Sequence, residues 1–480
     1  MAEINTDQFP QASAKALNNQ QLQEYLTRSM GNFDSARKQA IEDVSQEIWE
    51  GLREKARQIK KHTIENLDYY LDLLYENVTR SGGFVHFATT DGQARDIIGH
   101  ISKNRGLTKA IKSKSMVSEE VGLNKYLESV GVEPIETDLG EYIIQLVDET
   151  PFHIIAPALH KTRQQVGEIF AEKLNRPGLN TIEDMAGTAR EILRDKLLSA
   201  DLGITGANFL VAETGSVVLV TNEGNGRFCT SKPNVHIALV GMEKLIPSIE
   251  DLSVFIRLLP KAATGQRITS YTTHVFGPKT LSEEDGPDEF HLIIVDNGRS
   301  KLLEDPVLRE ALYCIRCGAC LNTCPIYRKV GGHSYGWVYP GPIGAVVTPI
   351  MTGLKKGKDL PFASSLCGAC RDVCPLKIDI PHMLLNMRSK LMEGTSDQRK
   401  RGVTEKLASF AYKKLMINVG ALSIFRYIAY LLQKPFIRNG YLGKTSIPIL
   451  KNWTNSRDLP GIPKKRFSQI WEEDQFKEQQ

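Results

Sequence analysis

Two stretches fifty residues apart share one cysteine pattern: "CIRCGACLNTCP" (314–325) and "SSLCGACRDVCP" (364–375). Overlaid, they agree at Cys-Gly-Ala-Cys, three variable residues and Cys-Pro. They differ where Ser364 stands opposite Cys314. No other feature of the 480-residue chain restricts its fold as strongly. Seven of its eight cysteines fall between 314 and 374 at spacings of two and three residues. The N-terminus, "MAEINTDQFPQASAKALNNQ", has no basic start followed by an apolar core, so no secretory signal is expected. Tight spacing without such a signal argues for metal ligation in a reducing compartment rather than for disulfides, and the expected location is the cytoplasm.

Cys314-x2-Cys317-x2-Cys320-x3-Cys324-Pro325 matches the bacterial ferredoxin run. Three thiolates on one tight loop reach three irons of a single cubane. The fourth, followed by a proline that redirects the chain, points to a second cluster. The second copy does the same in reverse. The expected wiring places Cys314, Cys317, Cys320 and Cys374 on the first 4Fe-4S cluster, and Cys324, Cys367 and Cys370 on the second. A zinc ribbon needs only four ligands, usually as two Cys-x-x-Cys pairs, and would leave the repeated third cysteines and Cys-Pro endings without a role. The second cluster is one thiolate short. It is either a three-iron cluster or a four-iron cluster whose last iron takes a Ser364 oxygen, a water or a distant group. Ser364 as an ordinary turn residue stays open beside these readings. Cys229, in "GRFCTSK", is the one remaining thiol and reads as a small buried side chain, with the missing ligand of the second cluster as the alternative. Two clusters on a pseudo-symmetric repeat make a relay for single electrons, and the repeat itself offers no nucleophile, acid or hydride site.

The length implies two or more domains. A net charge of +4 on 480 residues is too small to argue for nucleic acid as the main partner. No uninterrupted apolar run reaches membrane-spanning length. "LMINVGALSIFRYIAYLL" (415–432), the nearest, contains Asn418, Gly420 and Arg426 and reads as a buried or interface helix. Four regions are expected: an N-terminal helical segment (1–70), an α/β domain (71–300), a two-cluster ferredoxin-like domain (301–390) and a helical, basic tail (391–480). Ser35 to Asn77 reads as long amphipathic helix, with Ile41, Val44, Ile48, Leu52 and Ile59 near helical spacing. Strands are expected at 84–88, 152–156, 209–212, 216–221, 236–241 and 290–295, with helices at 160–174 and 181–200 among them. This alternation suggests a largely parallel central sheet. Residues 299–313 read as a helix leading into the cysteines. The Gly-, Pro- and aromatic-rich 330–349 has no helical period and reads as a structured loop. The tail beyond about Ser389 reads as helical.

Within the α/β region, "ANFLVAETGSVVLVTNEGNGRFCT" (207–230) is the most distinctive stretch. Glu213, Thr214 and Gly215 sit between two strand candidates. "NEGNGR" (222–227) could present backbone N–H groups to an anion, but it is also good hairpin-turn chemistry, which is favoured. "KSKSMVSEE" (112–120) reads either as a cleft lining or as an ordinary helix start. Neither a Gly-x-Gly-x-x-Gly nor a phosphate-loop Gly-Lys-Ser/Thr is found. His153 and His160 read as structural.

The combination of "KSKSMVSEE", "LGEYIIQL", "FHIIAPALHKTR", "VAETGSVVLVTNEGNGR", "CIRCGACLNTCPIYR", "GGHSYGWVYPGPIGAV" and "SSLCGACRDVCP" closely resembles the lactate utilisation protein B family. The resemblance runs from roughly residue 40 to the tail and includes Ser in place of the eighth Cys. It implies an α/β lactate-utilisation domain, related in fold to sugar-phosphate isomerases and CoA transferases, beside an α-helical ferredoxin-type di-cluster domain. It also implies two companion subunits and the oxidation of L-lactate to pyruvate, with this chain as the electron-carrying, non-catalytic subunit. The segment "GGHSYGWVYPGPIGA" is similar to the iron–sulfur subunit of glycolate oxidase. Against this stand a self-sufficient oxidoreductase with its own substrate site at Glu213 in the α/β cleft, and a nucleic-acid-processing protein using the basic tail. The tail lacks the aromatic-basic interleaving of a binding face, so no nucleic acid is expected.

Overall fold

Runs of β-branched and aromatic residues supply the longer strands of the first of two compact units, which comprises residues 1–399. In chain order the strands are β1 (Phe84–Ala88), β2 (Lys109–Lys112), β3 (Glu133–Glu136), β4 (Leu202–Thr205), β5 (Phe209–Val211), β6 (Ser216–Thr221), β7 (Val235–Gly241), β8 (Leu245–Ile246), β9 (Tyr271–Val275) and β10 (Glu289–Val295). Six of them form a sheet of order β1-β10-β7-β4-β2-β3 in which every pairing is parallel. Helices cover such a sheet on both faces, so its central strands are largely apolar, with His236, Thr205 and His291 as buried polar exceptions. All seven residues of β7 are buried. A second, mixed sheet has the order β8-β5-β6-β9. The computed structural model describes residues 4–393, 403–445, 448–454 and 457–478; the expected helical tail at 394–402 lies outside them.

The largest core runs from Met30, Trp49 and Leu74 on the N-terminal helices, through Phe209 and Val217 of the mixed sheet, to Leu321, Tyr327 and Val346 around the cysteines. The expected long N-terminal helix is three helices, Gln20–Glu42, Gln46–Glu65 and Leu67–Arg80. The first break falls at Ser45, whose φ of 68° ends one helix and whose Oγ accepts the Ile48 N–H of the next. Residues 299–313 are likewise divided. Helix Arg299–Glu304 stops before Pro306, and a 3₁₀ segment, Leu308–Tyr313, follows with Asp305 Oδ1 accepting its first N–H groups.

Two further expectations are corrected. Residues 152–156 form no strand but an irregular segment threaded beside the cysteine region, with Tyr327 Oη donating to Phe152 O (2.9 Å). The segment read as a loop contains a helix, Gly341–Thr352. Its residues 341–349 are all buried, so no polar face marks a helical period.

In the second unit, residues 400–480, helices Val403–Ile417 and Val419–Gln433 meet at Asn418, whose Oδ1 accepts the Ala421 N–H. The apolar stretch 415–432 is therefore two helix pieces, and Val419, Ile424, Tyr427 and Leu432 are exposed rather than buried. Among the described residues no single helix is long and apolar enough to cross a membrane. Only residues 406–417 and 419–436 together, across a 107° bend, meet that test.

Candidate metal centre

The two cysteine copies fold alike. In the first, the Arg316 N–H donates to Cys314 Sγ (3.4 Å), and in the second the Leu366 N–H donates to Ser364 Oγ (3.1 Å). Arg316 and Leu366 both take a left-handed φ, 61° and 56°. Gly318 (φ 76°) and Gly368 (φ 85°) then cap the short helices Ala319–Thr323 and Ala369–Asp372. A side chain at Gly318 would be strained by its φ and would crowd His153 Cε1 at 3.3 Å. Ser364 thus stands in the turn that Cys314 occupies, with its carbonyl held by Arg388 Nη2 (3.0 Å).

Chain folding brings distant cysteines together. Cys314, Cys317, Cys320 and Cys374 line one small cavity with Ile154, Ile343 and Ile378. Burial, then the charges of Cys324 and Cys367, push the Cys370 thiol up to about 12. Burial also pushes Cys374 up to about 11, against amide hydrogen bonds from Ile378 and Leu376. Cys320 is driven well up by burial and then by Cys314, Cys317, Cys370 and Cys374. Cys367 alone is exposed, and amide and Ser365 hydrogen bonds lower its pKa. Buried thiols that disfavour one another's ionisation are the donor set a cationic iron centre relieves, so these residues fit iron–sulfur ligation.

The N-terminal helices hold the second copy in place, a role the sequence did not signal. Arg53 donates to Cys374 O from Nε (3.0 Å) and Nη2 (2.8 Å) and to Asp372 O (2.8 Å), while Arg57 donates to Lys377 O (2.9 Å). His153 keeps its structural reading: it is fully buried and hydrogen-bonds Asn322 (3.0 Å) in the first cysteine helix. His160 pairs with Glu149 (2.6 Å), whose other oxygen is taken by Lys161, and His333 lies close to both. Cys229 packs with Ile111, Ile135 and Tyr142 in a separate core.

A buried charge network ties the parallel sheet to the first copy. Arg299 makes a two-pronged pair with Glu120 (2.9 Å to each oxygen) and also binds Glu243. Tyr339 Oη donates to Glu120 (2.6 Å), Arg316 reaches Glu243 (3.5 Å), and its guanidinium stacks 4.5 Å over Tyr339. Burial works to raise the Glu243 pKa, but Arg299 and Arg316 outweigh it and hold the group at about 2.

Beside this network lies a cavity of about 290 Å³ over the carboxyl ends of β2, β4 and β7. "KSKSMVSEE" both lines it and starts a helix, with Ser115 as the cap. "NEGNGR" is not a hairpin turn: Gly224 leads from β6 into helix Asn225–Ser231, and Asn222, Glu223 and Asn225 line the cavity. Glu213 is exposed in the β5–β6 turn, accepts the Ile249 N–H (3.0 Å), and does not line it.

Residues 71–295 match the LUD domain, and residues 310–378 match the 4Fe-4S dicluster domain. The chain is 44% identical over 459 residues to "Lactate utilization protein B" of Oceanobacillus iheyensis, covering 96% of this chain and 95% of that protein. It is 44% identical over 468 residues to the protein of that name in Bacillus subtilis strain 168 (97% and 96% covered). The corresponding Bacillus pumilus protein is 47% identical over 435 residues (90% of each chain). A crystal structure of a duf162 family protein from Deinococcus radiodurans aligns with 48% of this chain and 98% of its own. Its 15% identity and TM-score of 0.27 carry no argument. The near-complete match in length, together with the LUD and dicluster regions, shows that this chain belongs to the lactate utilization protein B family.

Proposed function

We propose that this chain is the electron-transfer subunit of a cytoplasmic assembly that oxidises L-lactate to pyruvate, working with two companion subunits. The observation that carries this reading is the convergence of Cys314, Cys317, Cys320 and Cys374, from two sequence-distant copies, around one cavity within a lactate-utilisation iron–sulfur protein. In this reading those four cysteines hold one 4Fe-4S cluster. Cys324, Cys367 and Cys370 hold the second, either a three-iron cluster or a four-iron cluster completed by a non-cysteine ligand. When bound, the clusters supply one-electron couples linking lactate oxidation to an acceptor. The chain's own part is to exclude water around the first cysteine set, which lies among Ile154, Ile343, Leu376 and Ile378, and to leave the second near solvent through the exposed Cys367. Glu213, where the self-sufficient reading puts the chemistry, accepts the Ile249 N–H at a helix start and does not line the cavity, which favours the relay reading.

Deleting the gene is expected to abolish growth on L-lactate and to spare growth on pyruvate. Unimpaired growth on lactate, with no second copy present, would contradict the proposal.

A further inference from the structure

The cavity at the carboxyl ends of β2, β4 and β7 has unspent polar groups. Among the described residues, Ser113 Oγ, Thr221 Oγ1 and Arg316 Nη1 are buried without a hydrogen-bond partner, and all three residues line it. Ser113 is only 4% exposed. Buried polar atoms are almost always satisfied, so three around one cavity ask for a ligand that accepts hydrogen bonds. The charges point the same way. The carboxylates along the wall are largely engaged: Glu243 by Arg299 and Arg316, and Asp138 by the Glu141 N–H (3.1 Å) that it caps. Among the described residues, Lys114 and Lys244 line the cavity with no hydrogen bond or close ion pair. Glu141, Asp138 and Glu223 act on Lys114, and Glu243 on Lys244, only through longer-range charge, and Glu223 is exposed.

Position adds an independent argument. Ser113 follows β2, Gly206 follows β4 and Lys244 lies just beyond β7, and in open parallel sheets ligands bind outside the carboxyl ends of the strands. The volume of about 290 Å³ lies at the small end of ligand sites and suits a few heavy atoms rather than a dinucleotide. Ile154, Ile315 and Arg316 form walls of both this cavity and the one lined by Cys314, Cys317, Cys320 and Cys374. An occupant would therefore lie one side chain from the first cysteine set.

We infer that this cavity is a binding site for a small monocarboxylate of the 2-hydroxy or 2-oxo acid class. Its carboxylate is held by Lys114, Lys244 and Arg316, with Ser113 and Thr221 as hydroxyl donors. The choice of acid class rests on the lactate-utilisation reading, whereas the anion site stands on the orphaned donors themselves.

The test uses the full chain, purified anaerobically with its clusters, titrated calorimetrically with L-lactate, pyruvate and inorganic phosphate. Saturable binding of at least one acid is expected, weakened at least tenfold in both Lys114→Met and Ser113→Ala. The cluster absorbance and EPR spectra of the ligand-free variants should match those of the parent protein. Absence of binding by both acids and by phosphate, to protein with intact cluster signals, overturns the site. Equal affinity in the parent and both variants does the same, and binding of phosphate alone overturns the acid class. None of these results touches the relay proposal, which fails separately if lactate cannot reduce the clusters through the companion subunits.

Discussion

Arg299→Met is expected to destabilise the protein by about 3–5 kcal/mol, the range for removing one partner of a buried ion pair. Arg299 is 1% exposed and is the shared counter-charge of Glu120 and Glu243, themselves almost completely buried. Removing it leaves Glu120 with the Tyr339 and Asn297 hydrogen bonds but no cation, and Glu243 with a single ion pair, to Arg316 at 3.5 Å, and the more distant charge of Lys244. Each carboxylate must then either take up a proton or remain charged where water cannot reach it. Arg299→Lys should recover only part of the loss, because an ammonium cannot reproduce the two-pronged pairing with Glu120 while also reaching Glu243. Anaerobic thermal unfolding followed by circular dichroism reads both variants. A midpoint for Arg299→Met within about a degree of the parent, where losses of this size shift it by several degrees, would contradict this account of the network.

The second large effect concerns how the cysteine copies cross. Cys374→Ser is expected to remove the cluster assigned to Cys314, Cys317 and Cys320, at a loss of about four irons per chain, while sparing the other. Cys324→Ser should spare that cluster and remove the one assigned to Cys367 and Cys370. The cavity shared by Cys374 and the first copy motivates the first half, and the charges of Cys324 and Cys367 felt at Cys370 motivate the second. Ser364 sharpens the test. Its Oγ accepts the same i+2 amide as Cys314 Sγ does, so a thiol placed there sits in a ligand's turn. Ser364→Cys is expected to slow the loss of iron in air from the second cluster, the more exposed and one thiolate short. Iron counts and EPR spectra on anaerobic protein decide the crossing. Damage confined to the cluster nearest in sequence would overturn the wiring.

The cysteine residues were legible because metal ligation imposes its spacing on a dozen consecutive residues. The strands at 84–88 and 216–221 were legible for a similar reason: each is a local run with strong β preference. Strands β2 and β3, "KAIK" and "EPIE", went unread because four residues with charged ends carry too little pattern. Helix Gly341–Thr352 was hidden by its complete burial, which removes the polar face that periodicity detects. The clamp from Arg53 to Cys374 O spans more than three hundred residues, and the cavity is assembled from loops after separate strands. Sequence spacing cannot report either.

The central claim is that this chain carries electrons from lactate. Its most direct test mixes the anaerobic, oxidised, cluster-loaded protein with its companion lactate-utilisation subunits and L-lactate, then freezes samples at intervals for EPR. The account predicts that reduced-cluster signals of this chain grow in step with pyruvate, and that neither appears with this chain and lactate alone. Pyruvate formation at full rate while both clusters remain oxidised would contradict it.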